Sequence, residues 1–310
     1  MSNNRSESPV AIVTGAGRGL GREHALALAK AGYNLVINDL GGAGDGTGAD
    51  NTPAQQVVAE IEALGQQAVA NGADVSNWAA AGEMIQCAID TFGRLDGLVN
   101  NAGILRDRTI ANITEEDWDL SIAVNLKGTA APLHHAAAYW RDLSKQTGEP
   151  VNASVVNTTS ASGLYSMVGQ SNYAAAKMGV ASMSVVAARE LARYGVRVNV
   201  LAPAAVTRLT EGVMKTEDLK QRLQPGFVSP LVVYLLSDAA AEVSGRVFEM
   251  GGGSLVAVDM PRPGAGLRHA DGEWTAERIA AVMPQLLAEV PDAPNSAEAM
   301  KFMLTAPLDE

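Results

Sequence analysis

Val10-Ala11-Ile12-Val13-Thr14-Gly15-Ala16-Gly17-Arg18-Gly19-Leu20-Gly21 decides the fold. A short apolar run enters a glycine-rich turn, and a helical pattern follows from Arg22 to Ala31. Strand, glycine turn and helix in that order are the setting in which a glycine motif holds phosphate. Glycines let the backbone approach a pyrophosphate. The free N–H groups and positive dipole end of the helix then face the anion. The spacing of Gly15, Gly19 and Gly21 is G-x-x-x-G-x-G.

Working outward, Asn34 to Asn38 reads as a second strand closed by Asp39. An acidic side chain there accepts hydrogen bonds from the adenine-ribose hydroxyls and repels a 2′-phosphate, which favours NAD over NADP. Arg18 pulls the other way, since a guanidinium in the turn can hold such a phosphate. Asp39 is given more weight, because its repulsion acts at the ribose itself. Gly41 to Pro53 is a glycine-rich loop. A helix from Pro53 to Leu64, a strand at Ala68 to Ala70 and a helix from Ser76 to Phe92 follow. Between the last two, Asp74 and Val75 can bracket an adenine ring. The strand Leu98-Val99 runs into Asn100-Asn101-Ala102-Gly103, small enough to approach a nicotinamide ribose. Later strands are expected at Ala153 to Asn157, at Val196 to Leu201 and, as the last, at Arg246 to Met250. Regular alternation of strand and helix predicts an α/β fold with a parallel, doubly wound sheet of Rossmann type.

Length and composition bound the function. The chain has 310 residues, 47% of them hydrophobic, and a formal net charge of −11. This suits one large α/β domain with an appendage. The negative charge argues against nucleic acid and against an anionic membrane surface as partners. Cys87 is the only cysteine, so no intramolecular disulfide forms, and it reads as core filler. Met1 to Pro9 is polar, without an apolar signal core. No apolar run approaches a membrane span. The chain ends Pro307-Leu308-Asp309-Glu310, not in the Ser-Lys-Leu type. A cytoplasmic setting is expected.

The chemistry is expected from Ser160 and from Tyr173-Ala174-Ala175-Ala176-Lys177. Tyr173 and Lys177 share one helical face, one turn apart. An ammonium group beside a phenol favours the phenolate and lowers a pKa that is otherwise about 10. Ser160 lies at the carboxyl end of a strand, the edge at which open α/β sheets bind ligands. A hydroxyl, a phenol and a cation meeting there suit proton transfer to or from an alcohol oxygen. Thr114-Glu115-Glu116-Asp117 reads as a capped helix start. Within that helix, Asn125 is either a solvated polar position or an amide that orders water beside Lys177. His134 and His135 are adjacent and face different directions. They suit a surface or an interface, and no cluster has metal-ligand spacing.

Together these motifs resemble the short-chain dehydrogenase/reductase family. Thr14 to Gly21, Asp74, Asn100 to Gly103, Asn125, Ser160, Tyr173 and Lys177 carry the resemblance, in order and at family spacing, over about Val10 to Ala257. Asn38-Asp39-Leu40-Gly41-Gly42, Asn101 to Arg108, Glu116-Asp117-Trp118-Asp119 and Phe248 to Gly251 resemble more closely the (3R)-hydroxyacyl-CoA dehydrogenase domain of peroxisomal multifunctional β-oxidation enzymes. The resemblance implies NAD-linked oxidation of a 3-hydroxyacyl thioester. Tyr173 would be the general base, Lys177 would lower its pKa and hold the nicotinamide ribose, Ser160 would orient the substrate oxygen, and Asn125 would support a proton relay. The implied cofactor contacts are Gly15, Arg18, Gly19, Leu20, Gly21, Asp39, Asp74, Val75, Asn101, Ala102, Gly103, Tyr173, Lys177, Val206 and Thr207. No metal is implied. The family's Pro-Gly after the sixth strand is Pro203-Ala204 here. Since alanine tolerates positive φ poorly, the backbone near the carboxamide is expected to differ.

Three segments follow: a flexible start at 1–9, the dinucleotide-binding domain at 10–258 and a C-terminal extension at 259–310. Ala205 to Gln224, with Arg208, Lys215, Lys220 and Arg222, is the expected substrate-side segment. In the extension, Trp274 to Val290 has an apolar stripe of Ile279, Val282, Met283, Leu286 and Leu287, and Pro284 interrupts it. A tail of ~50 residues is too short for its own core, so the stripe is expected to bury against this subunit or a partner. Family members pair through the helices that here carry Asn125 and Tyr173, which implies a homodimer or homotetramer. Gly264 to Val290 is expected to dock across that boundary and help close the substrate entrance. Two rival functions remain open: a dehydrogenase of steroid or other bulky secondary alcohols, and a catalytically silent NAD-binding regulator.

Overall fold

Five consecutive buried residues, Val10–Thr14, form strand β1, which both faces of the sheet cover. The computed structural model describes residues 6–48, 50, 52–207, 217–261, 268, 274–288 and 298. Helix α1 spans Gly19–Lys30, β2 Asn34–Asn38, α2 Thr52–Ala63, β3 Ala68–Asn71, α3 Trp78–Phe92 and β4 Gly97–Asn100. Next come α4 Glu115–Ile122, α5 Gly128–Thr147, β5 Ala153–Thr158, α6 Ala161–Tyr165, α7 Ser171–Leu191 and β6 Val196–Pro203. The described chain continues with α8 Glu217–Arg222, α9 Ser229–Leu236, β7 Val247–Gly251, β8 Ser254–Val258 and α10 Ala276–Ala288.

The strands lie in the order β3-β2-β1-β4-β5-β6-β7-β8. β1 to β7 are parallel and β8 runs antiparallel to β7. The direction of winding reverses between β1 and β4, so a crevice opens at their carboxyl ends. Period-2 alternation divides the core. Val13, Ile37, Val99, Val156 and Leu201 face α1, α2 and α9 through Leu28, Ile61 and Leu235. Ile12, Val36, Leu98, Val155 and Val198 face α3, α5 and α7 through Met84, Trp140 and Leu191. Buried polar groups within these layers are paired where they are large: the Trp140 indole donates to the Leu95 carbonyl at 2.7 Å.

Local chemistry sets several element ends. The Thr114 side chain caps α4 by accepting from the Asp117 N–H at 3.1 Å, ahead of three acids in the first turn. Asn77 caps α3, and Gly93 ends it in the left-handed region at φ 73°. Residues 123–127 form a π turn between α4 and α5 with Asn125 inside it.

Four expectations need correction. The strand expected to be last is followed by β8, because Gly252 and Gly253 (φ 60° and 84°) supply the two positive-φ residues of a tight hairpin. The sheet is therefore mixed at that edge. Ser6 to Pro9, expected to be flexible, are tied to the body: the Ser6 N–H donates to the Phe92 carbonyl at 2.8 Å, and Arg94 donates to the Ser6 carbonyl. Pro284 does not break α10, which runs through it. Asn125 is fully buried, which removes the reading as a solvated position. Cys87 packs, partly buried, against the second layer. His134 and His135 form an aromatic cluster with Trp78 at the surface. On α10, Ile279, Met283 and Leu287 are exposed on this chain. Residues 264–267, 269–273 and 289–290 of the expected docking segment lie outside the described residues. Among the described residues no helix is long and apolar enough to cross a membrane, and no cluster suits a metal ion.

His24 of α1 is wholly buried, with Nδ1 2.9 Å from Ser229 Oγ on α9, and burial pushes its pKa down to about 3. It is neutral in the fold, whereas an unfolded histidine takes a proton near pH 6.5. Unfolding therefore takes up a proton below that pH, and stability falls with pH between about 6.5 and about 3. At pH 5 the loss approaches 2 kcal/mol. Urea denaturation at pH 7.5 and pH 5 should show a larger fall for the wild type than for His24→Gln. Equal falls would remove His24 from the account.

Candidate active site

The β1 and β4 ends that flank the crevice are joined by side-chain bonds. Thr14 Oγ1 accepts from the Asn101 and Ala102 N–H groups at 3.0 and 3.1 Å. Asn101 Nδ2 donates to the carbonyls of Thr14 and Gly15. Gly15 takes φ +63°, and a Cβ on it would lie 2.9 Å from Ala102 Cα. Only glycine satisfies both demands. Above this junction lies a cavity of 720 Å³, within the usual range for a small-molecule site.

The cavity brings together Ser160, Tyr173 and Lys177 from the expected chemical set. It also brings together Gly15, Arg18, Gly19, Leu20, Asp39, Asp74, Val75, Asn101, Ala102, Gly103 and Thr207. Gly21 and Val206 do not line it. Gly21 packs against the Gly15 carbonyl, where a Cβ has no room, and so holds the glycine turn closed from behind. The Val206 N–H donates to the Leu223 carbonyl at 2.8 Å. Ala204 adopts no positive φ. Gly251 opposite it makes the room, since a Cβ there would meet Ala204 Cβ at 2.8 Å. The backbone at Ala204 thus stays in a region that alanine accepts.

Both oxygens of Asp39 hold the loop around them. Oδ2 accepts from the Gly17 N–H at 2.7 Å and Oδ1 from the Gly41 N–H at 2.6 Å. Each carboxylate oxygen retains a second acceptor site. Asp74 Oδ1 similarly accepts from the Ser76 N–H and hydroxyl, both at 2.8 Å. A positive-φ glycine cradle, with a carboxylate at the second strand's end, fits a dinucleotide's pyrophosphate and ribose.

Ser160 caps α6 and accepts from the Ser162 N–H at 3.2 Å. Its hydroxyl lies near enough to the Tyr173 phenol to favour the phenolate. Lys177 is 2% exposed, with Nζ donating to the Thr158 carbonyl at 2.9 Å and lying 5.6 Å from the Tyr173 ring centroid. Glycines admit this arrangement: Cβ atoms would fall 2.8 Å from Asn125 Oδ1 at Gly103 and 2.7 Å from Lys177 Cβ at Gly163. Asn125 does not line the cavity. Its amide brackets the Ile104 peptide, accepting from the N–H at 3.2 Å and donating to the carbonyl at 3.0 Å. In the structure this amide holds the segment after β4.

The expected pKa direction for the phenol does not hold in this structure. Burial pushes Tyr173 up to about 12, only partly offset by the Ser160 hydrogen bond, and the Asp107 charge raises it further. Burial also lowers Lys177 to about 8. The dry environment disfavours both charges, and the ammonium spends its short contact on a carbonyl rather than on the phenol oxygen.

Sequence reasoning missed part of the wall. Gly42, Ala43, Gly44 and Gly46 line the cavity, tied down by the Leu105 N–H to the Gly44 carbonyl and by Arg106 to the Asp45 carbonyl. Asp107, Met167 and Gln170 line it as well. Glycine content marked the first group as loop, but nothing local in the sequence marked it as wall. Of the expected substrate-side segment, Arg208 and Lys215 lie outside the described residues, and Lys220 pairs with Glu217 at 2.8 Å.

Comparisons with known proteins bear on this geometry. The short chain dehydrogenase family model matches residues 9–220. The chain is 45% identical over 262 residues to the hydroxyacyl-CoA dehydrogenase ChsB1 of Mycobacterium tuberculosis, covering 81% of this chain and 80% of that one. It is 40% identical over 276 residues to the mouse peroxisomal multifunctional enzyme type 2, covering 89% of this chain but 36% of that enzyme. A crystal structure of a short chain dehydrogenase from Mycobacterium avium superposes with a TM-score of 0.83 at 45% identity, covering 93% of this chain and 97% of that one.

Gly15→Ala would force a side chain into Ala102 at a positive φ. A dinucleotide Kd raised at least tenfold by calorimetry, with the fold retained by circular dichroism, is the expected outcome; ~1.4 kcal/mol is enough for that change. Unchanged affinity would show that the crevice does not hold the pyrophosphate.

Proposed function

The chain belongs to the short-chain dehydrogenase family, oxidoreductases acting on CH–OH donors, and from that premise we propose that it oxidises a secondary alcohol with NAD. The substrate proposed is a (3R)-3-hydroxyacyl-CoA, converted to its 3-oxo form. The observation that carries the reading is the meeting of Ser160, Tyr173 and Lys177 in one cavity with Asp39 at its far end. The relatives' names support the thioester, and Asp39 supports NAD over NADP through its repulsion of a 2′-phosphate.

When bound, the oxidised nicotinamide supplies the hydride acceptor and a positive charge that favours a nearby phenolate. The remaining tasks fall to the chain. Ser160, beside the phenol on the cavity wall, holds the substrate hydroxyl against it. Tyr173 takes the hydroxyl proton as the carbinol C–H bond breaks. Lys177, anchored on Thr158, keeps a cation beneath the ring. Asn125 acts indirectly by fixing Ile104, a cavity residue. The proposed active form is a homodimer or homotetramer in the cytoplasm, with α10 the candidate for a contact between subunits.

A substrate panel tests the reading. With the intact protein and NAD, kcat/KM for 3-hydroxyacyl-CoA thioesters should exceed that for steroid and simple secondary alcohols, and NADP should serve worse than NAD. Asp39→Ala should narrow the cofactor preference. A wild-type preference for NADP would defeat the cofactor assignment. Turnover of steroids but not thioesters would favour the bulky-alcohol rival.

A further inference from the structure

Asp107 and Gln170 stand on the cavity wall with Ser160 and Tyr173. Gln170 Nε2 donates to Asp107 Oδ2 at 2.8 Å, and an isolated bridge pairs Arg108 with Gln170. Gln170 is 8% exposed, yet its Oε1 has no hydrogen-bond partner. One amide N–H of Gln170 is spent on bracing Asp107, and its Oε1 is turned into the protein.

The neighbouring guanidinium groups do not neutralise Asp107. Arg106 donates to the Asp45 carbonyl at 2.7 Å and reaches Asp117 Oδ1 at 3.5 Å. Arg108 reaches Asp117 Oδ2 at 3.8 Å, and it donates to the main-chain carbonyl of Asp107 rather than to its carboxylate. Among the described residues no cation lies within ion-pair distance of the Asp107 carboxylate. The charge nevertheless reaches the site, since it opposes the Tyr173 phenolate. This part of the wall therefore offers one negative charge with no ion-pair partner among the described residues.

We propose that Asp107, braced by Gln170, determines specificity by excluding alcohols that carry a free carboxylate near the carbinol and admitting their neutral esters and thioesters. The inference rests on the alcohol-oxidising reading of the cavity and deepens it. A 3-hydroxy acid would bring a second negative charge within two carbons of the carbinol carbon that Tyr173 serves. Asp107 is exposed, so water screens the repulsion, yet like charges on one cavity wall still oppose each other. A thioester is neutral at that carbon.

The test compares 3-hydroxyoctanoate with its methyl ester, and a steroid carrying a carboxylate two carbons from its carbinol with its methyl ester, in the full chain with NAD. The readout is the ratio of kcat/KM for acid over ester. Both members of a pair use the same Tyr173, so any effect of the lost charge on the phenol cancels in the ratio. Asp107→Asn should raise the ratio at least about tenfold, and Asp107→Glu, which keeps the charge, should leave it near the wild-type value. An unchanged ratio in a folded Asp107→Asn protein overturns the inference even if thioesters are the preferred substrates. A raised ratio confined to the steroid pair, with no thioester turnover, supports the inference and defeats the acyl-thioester reading instead.

Discussion

Everything in this molecule depends on how closely two backbones pass where β1 and β4 end. Gly15 lies so near Ala102 that a single added carbon would collide, and Thr14 and Asn101 hold the two turns at that distance. The close approach occurs where the winding of the sheet reverses. A wider gap would not present the glycine turn and the small residues after β4 to one ligand. The parallel strands supply the rigidity, since β1, β2 and β5 are buried along their whole length.

On this scaffold the chemical groups are kept dry. Lys177 is buried with a carbonyl as its short contact, and Tyr173 shares the cavity wall with Ser160. Dryness has a price in charge: both groups are pushed toward their neutral forms. Burial thus favours a protonated phenol, able to donate to a carbonyl. Oxidation of an alcohol needs the opposite state, and the positive charge of an oxidised nicotinamide is the natural agent to bring it about. Proton transfer and cofactor charge are linked on this account, with Asp107 opposing the phenolate from the substrate side.

Much of this was legible in the residues. The glycine turn, the alternating elements, the Thr114 cap and the grouping of Ser160 with Tyr173 and Lys177 follow from local pattern and period. What escaped was set by tertiary contact. Gly251 to Gly253 looked like the end of the sheet, whereas the positive φ of Gly252 and Gly253 returns the chain as β8. Asn125 looked polar within a helix, and only the fold shows it clasping Ile104 inside a π turn. The pKa direction of Tyr173 turned on burial, which i,i+4 spacing does not report. Asp107 and Gln170 lie far apart in sequence and meet only across the cavity mouth.

The central claim is that Tyr173 exchanges the proton of the substrate hydroxyl. The most direct measurement is the pH dependence of kcat/KM for alcohol oxidation in the wild type and in Tyr173→Phe, with NAD affinity determined in parallel. The account predicts a wild-type rate that rises with pH through one ionisation. In Tyr173→Phe it predicts a loss of about 10²–10⁴-fold together with that ionisation, and retained NAD binding. A folded Tyr173→Phe protein with near-normal turnover and the wild-type pH profile would contradict it.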